Sequence, residues 1–192
     1  TASEVFGVPL EEVTANMRMR AKTVNFGIIY GISDYGLSKQ LGVSRAEAAH
    51  YIESYFSRYV GVKAYMEAEV AKAKKLGYVE TLFGRRRYLP DINHSNYNLR
   101  SFAERTAINT PIQGTAADII KVAMLKVAKA LDEAQVKSRV LLQVHDELVL
   151  EVTETEKAKV AKIVEQEMEN AVKLQVPLVA EVATGKNWAL AK

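Results

Sequence analysis

Arg18, Lys22, Phe26 and Tyr30 stand four residues apart in the segment MRMRAKTVNFGIIYG, which Gly31 closes. Side chains at that spacing lie nearly above one another on a helix and climb about 6 Å per step, so the row spans about 18 Å. Read from its N-terminal end, the row offers two cations and then two aromatic rings. A nucleoside triphosphate laid along it would set phosphates against Arg18 and Lys22, and sugar and base against Phe26 and Tyr30. The guanidinium fork of arginine matches phosphate oxygens two at a time, and lysine supplies a movable point charge. The helix N-terminus adds partial positive charge of its own. A second reading fits the same stripe: the rings form the core face of an amphipathic helix and the cations its rim. Gly27 weighs against it, since an interior glycine costs about 1 kcal/mol relative to alanine and signals close approach by another group.

Three further groupings carry polar chemistry. The run LLQVHDELVLEV at 141–152 places Asp146 and Glu147 at the tip of a hydrophobic hairpin, where carboxylates are also frequent for backbone reasons alone. Arg105, Asn109 and Gln113 repeat the four-residue spacing, with Pro111 interrupting the geometry before the third. Long polar side chains in such a row can reach nucleic-acid phosphates and the minor-groove acceptors shared by all base pairs, or form a solvated helix face. Arg85, Arg86 and Arg87 follow Gly84 in a compact basic run, suited to phosphate or to ion pairs within the fold.

Composition narrows the classes. The 192 residues suffice for one domain, or for a lobe or two of a larger one. Apolar residues at 48% and charged residues at 26% are ordinary for a globular chain. A net charge of +3 is compatible with nucleic acid, for which local clustering matters more than the total. The absence of cysteine excludes disulfides and zinc–thiolate sites. No apolar run approaches the roughly 18 residues of a membrane helix, and no signal-peptide pattern opens the chain. A cytoplasmic location without membrane partners is the default expectation.

The elements that must position these residues follow from periodicity and punctuation. A lead-in at 9–14 precedes a helix from about Thr14 to Tyr30, stopped by Gly31. A short helix at about 35–41 is followed by one opened at Ser44 with Glu47 three residues on, a capping box, and running to about Tyr59. Another helix spans Val62 to Leu76 and closes at Gly77; residues 78–98 read as loop with short strand pieces. Helix resumes from about Leu99 to Asn109, breaks at Thr110-Pro111, and returns from about Thr115 to Ala134. Two β-type runs at 139–145 and 147–153 form a hairpin around Asp146, an amphipathic helix occupies about 154–173, and a last strand about 177–183. Helices first and a small antiparallel sheet with helices last make an α+β pattern.

The segment MRMRAKTVNFGIIYG resembles the nucleotide-binding helix of family A DNA polymerases, the bacterial DNA polymerase I type. Two further blocks, ERTAINTPIQGTAADIIK at 104–121 and LLQVHDELVLEV at 141–152, agree in order and content, and GYVETLFGRRRYLPDI at 77–92 also reads like the family. The resemblance runs essentially from end to end. It implies fingers at about 14–98, and fingers-to-palm helices with the C-terminal part of an antiparallel palm sheet at about 99–192.

By the same resemblance, the chain takes part in template-directed addition of deoxynucleotides from dNTPs to a primer 3′ end, with primer-template DNA as partner. Two magnesium ions serve the reaction, and carboxylates must hold them. Asp146 corresponds to one of the two metal-binding aspartates and Glu147 to a nearby helper. The other aspartate belongs to an upstream strand, beyond which lies the thumb, and neither is in these 192 residues. One carboxylate does not hold two near-octahedral magnesium ions, so the chain alone is expected to be inactive; a non-catalytic nucleic-acid or nucleotide-binding module is the alternative. Arg18 corresponds to the γ-phosphate contact, and Lys22 to the contact nearer the α-phosphate and proton donor to the leaving pyrophosphate. Phe26 corresponds to the ring on the sugar, implying strong discrimination against nucleotides lacking the 3′-hydroxyl, and Tyr30 to the ring that stacks on the template base while the fingers are open. Arg105, Asn109, Gln113, Gln143 and His145 correspond to DNA contacts. Met19 departs from the second arginine of many relatives, which implies a weaker accessory contact.

Overall fold

The computed structural model describes residues 1–191. They form two compact units, one from Thr1 to Ile112 and one from Gln113 onward.

Five helices open the first unit: α1 (Ala2–Phe6), α2 (Ala15–Ile29), α3 (Asp34–Leu41), α4 (Arg45–Arg58) and α5 (Val60–Leu76). Sequence chemistry fixes their ends. Thr14 Oγ1 accepts from the Met17 N–H, Ser33 Oγ from Gly36 and Ser44 Oγ from Glu47, so each hydroxyl satisfies a donor that the first helical turn leaves unpaired. The capping box at Ser44 is half-realised, because the Glu47 carboxylate turns to the Tyr51 hydroxyl at 2.6 Å. At the far end of α2, Gly31 adopts φ 70°, its N–H bonds to Ile28 O at 2.8 Å and the Ile32 N–H to Gly27 O at 2.8 Å. This is the Schellman arrangement, and it needs a residue that enters the left-handed region without strain.

Val24, Ile28, Leu37, Ala48, Tyr51 and Tyr55 meet in a buried core, with Ile32 against it. Gly27 is explained inside this packing, since a Cβ there would lie 2.9 Å from Ile32 Cγ2. The close approach signalled by that glycine is therefore made by the chain's own Ile32. A hairpin of β1 (Tyr78–Glu80) and β2 (Arg86–Tyr88) follows in antiparallel register, Tyr78 opposite Tyr88. It joins a second core of Ala73, Val79, Leu89, Ile92, Ala103 and Ala107.

Helix α6 (Tyr97–Glu133) runs unbroken through Pro111, where a break at Thr110-Pro111 was expected. Proline removes one helical hydrogen bond and crowds the preceding turn, a local cost of about 3 kcal/mol. Buried Ala103, Ala107 and Ile108 before it and Ile120, Ala123 and Val127 after it hold both flanks helical. In the second unit β3 (Arg139–Val144) and β4 (Glu147–Glu151) form an antiparallel hairpin with a bulge between Val140 and Leu142. Helix α7 (Lys157–Glu169) is shorter than the expected 154–173. Val127, Leu131, Val160 and Val164 form this unit's core, with Val140, Leu148 and Leu150 packed on it.

The strand expected at 177–183 is also corrected. A β-strand exists only with a neighbour to accept its ladder bonds, and residues 177–183 pair with none among the described residues. Val176 and Val179 stay 66% and 76% exposed, and the segment's Ala180 N–H bonds to Glu169 Oε1 at 3.2 Å. The α+β class stands, built from helices and two two-stranded antiparallel sheets.

Candidate functional site

Helix α2 separates two faces. Ala21, Val24, Gly27 and Ile28 are buried, whereas Arg18, Lys22, Phe26 and Tyr30 all point to solvent. At 45% and 42% exposure, Phe26 and Tyr30 are not core residues, so the core-and-rim reading of this row fails. Their rings stack with centroids 6.3 Å apart and planes 11° from parallel. Lys22 Nζ stands 5.8 Å from the Phe26 centroid. Among the described residues neither Arg18 nor Lys22 has a carboxylate partner. Arg20, two residues from each, shows the contrast. Its guanidinium is 3.6 Å from Glu47 and lies over the rings of Phe6 and Tyr51 at 5.6 and 5.9 Å. The structure spends Arg20 on the fold and leaves Arg18 and Lys22 available.

Beside this face opens a cavity of about 930 Å³, lined by Met19, Lys22, Phe26, Tyr30, Gln40, Tyr97, Ser101 and Arg105 among others. That volume lies at the upper end of small-molecule sites. Arg105, expected as a DNA contact, is thus brought to the same cavity as three of the four row residues, while Arg18 lies outside its lining. Two contacts position Arg105. Its Nη1 donates to Ser101 Oγ at 2.9 Å, and its stem covers Gly31 so closely that a Cβ there would fall 2.8 Å from Arg105 Cγ. Ser101 and Gln40 were not singled out from sequence; the sole signal was Ser101 standing four residues before Arg105.

Because α6 is continuous, Arg105, Asn109 and Gln113 keep helical spacing across Pro111 instead of losing it there. Asn109 is half-buried, and its Oδ1 is buried without a hydrogen-bond donor. Gln113 is exposed. In the basic run, Arg86 pairs with Glu80 at 2.8 Å and stacks over Tyr78 at 4.6 Å, a commitment within its own hairpin. Arg87 Nη1 reaches Thr110 Oγ1 at 3.5 Å.

In the second unit, His145 and Asp146 form the two-residue turn of the β3–β4 hairpin, with Val144 opposite Glu147. His145 adopts φ 53°, a conformation tight hairpin turns demand. His145, Asp146 and Glu147 are exposed, and Gln143 Nε2 donates to His145 O at 2.6 Å, steadying the turn. Among the described residues the Asp146 and Glu147 carboxylates carry no ion pair, and nowhere do three histidine, aspartate or glutamate side chains gather as a metal site. Two carboxylates at one turn do not by themselves make a magnesium site, since the ion wants six oxygens in near-octahedral array. No described helix is long and apolar enough to cross a membrane.

The helical unit thus carries an outward row of two cations and two rings, and the small sheet an acidic hairpin tip. The chain matches the model of DNA polymerase family A over residues 1–190 and belongs to that family. It is 56% identical to DNA polymerase I of Streptococcus pneumoniae over 193 aligned residues, the whole of this chain and 22% of that protein. The DNA polymerases I of Bacillus subtilis and Geobacillus stearothermophilus are likewise 56% identical over 192 residues. Among solved structures, the POL domain of Pol1 from M. smegmatis, in complex with DNA primer-template and dNTP, superposes with a TM-score of 0.95 at 49% identity. That match covers 99% of this chain and 34% of the other. The chain spans about a fifth, 22%, of the length of the curated relatives it matches.

Proposed function

We propose that these residues form part of a DNA polymerase that adds deoxynucleotides to a primer 3′ end on a template. The observation that carries this reading is the solvent-facing row of Arg18, Lys22, Phe26 and Tyr30, its cations without a carboxylate partner among the described residues, beside a cavity that also takes in Arg105. Relatives named DNA polymerase I, and a similar solved chain holding primer-template and dNTP, support it. In this reading Arg18 receives the γ-phosphate, and Lys22 the region of the α-phosphate together with the proton passed to pyrophosphate. Phe26 packs on the sugar and Tyr30 against the template base. Arg105, Asn109, Gln113, Gln143 and His145 hold the duplex. Residues of about 14–98 act as fingers and those of about 99–192 as fingers-to-palm helices and C-terminal palm, in the bacterial cytoplasm where the DNA lies.

Asp146, helped by Glu147, would hold magnesium together with an aspartate from a polymerase segment outside this chain, which also supplies the thumb and the rest of the palm. The apolar side chains left exposed in the second unit, Leu141, Leu142, Val176 and Val179, are surface that such a segment would cover. A non-catalytic binding module is the second reading for the chain in isolation, favoured by its partial carboxylate set.

Magnesium-dependent primer extension tests both readings. The 192-residue chain alone is expected to give none. In a complete polymerase carrying these residues, Asp146→Asn is expected to abolish extension while primer-template affinity is kept. Extension by the isolated chain would refute the partial-site argument, and activity within a few-fold of wild type in the Asp146→Asn enzyme would remove Asp146 from the chemistry.

A further inference from the structure

The outward row works only if α2 is held at one rotation about its axis, and the structure shows what holds it. At about 100° per residue, the buried stripe of Ala21, Val24, Gly27 and Ile28 lies opposite the row. Apolar packing resists withdrawal of such a stripe but is weak against a small roll, because methyl groups slide over one another with little directional cost. Two polar ties to α4 flank the stripe. On one edge Arg20 reaches Glu47, which also accepts from the Tyr51 hydroxyl. On the other, Asn25 Oδ1 accepts a hydrogen bond from the Tyr55 hydroxyl at 2.9 Å. Arg20 and Asn25 stand about 140° apart around the helix, and their partners Glu47, Tyr51 and Tyr55 form a single four-spaced row on α4. Tyr55 is 3% exposed and cannot follow its partner, since its ring is fixed against Tyr59 at 4.8 Å and Phe56 at 5.8 Å.

We infer that Asn25 and Tyr55 are a positioning pair, whose hydrogen bond sets the roll of α2 and thereby the aim of Lys22 and Phe26 at the incoming nucleotide. This rests on the nucleotide reading above. A roll of about 10° moves side-chain tips about 6 Å from the axis by about 1 Å. Misplacement of that size costs up to about a hundredfold in a step that depends on orientation. The tie lies at the edge of the buried stripe, with Asn25 half-buried about 100° around the helix from Phe26 and Tyr55 buried on α4. Its effect must pass through α2.

The test uses a complete polymerase carrying these residues, with steady-state single-nucleotide incorporation at saturating primer-template. Tyr55→Phe and Asn25→Ala are each expected to raise KM for the dNTP about 3- to 10-fold, with primer-template affinity unchanged. The double variant is expected to do no more than either single, because both remove the same bond. Tyr59→Phe is the control: it removes a neighbouring hydroxyl, bonded to Glu4 Oε2 at 2.6 Å, without touching α2, and should leave KM where it was. KM unchanged in both single variants, additive effects in the double, or an equal rise in Tyr59→Phe would overturn the inference. Should Asn25→Ala fail to fold, the comparison of Tyr55→Phe with Tyr59→Phe decides alone. Lys22→Ala, assayed in parallel, separates the layers. A kcat/KM lowered there with KM unchanged in Tyr55→Phe refutes the positioning pair only, and an unchanged kcat/KM in Lys22→Ala refutes the nucleotide reading beneath it.

Discussion

Replacing Lys22 with alanine separates a ligand-facing helix row from a structural one, because the two roles predict opposite outcomes. Lys22 is exposed, and among the described residues its ammonium interacts with the Phe26 ring at 5.8 Å. An exposed cation–π contact contributes about 0.5 kcal/mol, and alanine returns a few tenths through its higher helix propensity. The net change in stability should stay within about 0.5 kcal/mol, the usual range for surface substitutions. A buried residue of the same helix sets the opposite scale, since Ile28→Ala should cost about 2–5 kcal/mol. Nucleotide handling should respond far more strongly. A charge-assisted hydrogen bond to phosphate contributes about 1.5–3 kcal/mol, which at 1.4 kcal/mol per decade is about 10- to 150-fold in kcat/KM for the dNTP. Thermal melting of the variant chain reads the first quantity, and single-nucleotide incorporation by the complete polymerase the second. A melting loss of core size, or kcat/KM within about threefold of wild type, would refute the assignment.

Two further outcomes follow from local geometry. Gly31→Ala forces a side chain into φ 70° and against Arg105 Cγ at 2.8 Å; it should destabilise by about 1–2 kcal/mol, and a denaturation shift below about 0.5 kcal/mol would show that the Arg105 stem yields freely. Glu156 accepts from the Ser138 hydroxyl and from the Lys137 and Ser138 amides, which hold its carboxyl down at about 2 from the usual 4.5. A depressed carboxylate stabilises the folded state above the unfolded value, and that contribution is lost as pH falls from 4.5 toward 2. Glu156→Gln should flatten this part of the acid-unfolding profile, and an unchanged slope would mean that the bonds are not kept in solution.

Where an element's stability is local, the sequence announces it. Thr14, Ser33 and Ser44 cap the helices they precede, and Gly31, Gly42 and Gly77 end helices in the left-handed conformation. Each is decided within one turn of chain. Pro111 misleads for the opposite reason. Its penalty is local, but the packing of Ala103, Ala107, Ile120 and Val127 that overrides it comes from elsewhere in the chain. Residues 177–183 mislead likewise, since their alternation has strand character and pairing needs a partner that the described residues do not provide.

The candidate site divides along the same line. Four-residue spacing alone put Arg18, Lys22, Phe26 and Tyr30 on one face, because helix geometry is fixed by covalent structure and short-range hydrogen bonds. Whether that face looked inward or outward was open, and only tertiary packing decided it by burying Ala21, Val24 and Ile28. The sequence likewise set Asp146 at a turn, while the gathering of Arg105, Ser101 and Gln40 around one cavity came from contacts between residues distant in the chain. Spacing states which side chains share a helix face. What that face meets depends on how the whole chain buries its apolar surface, and no local pattern carries that information.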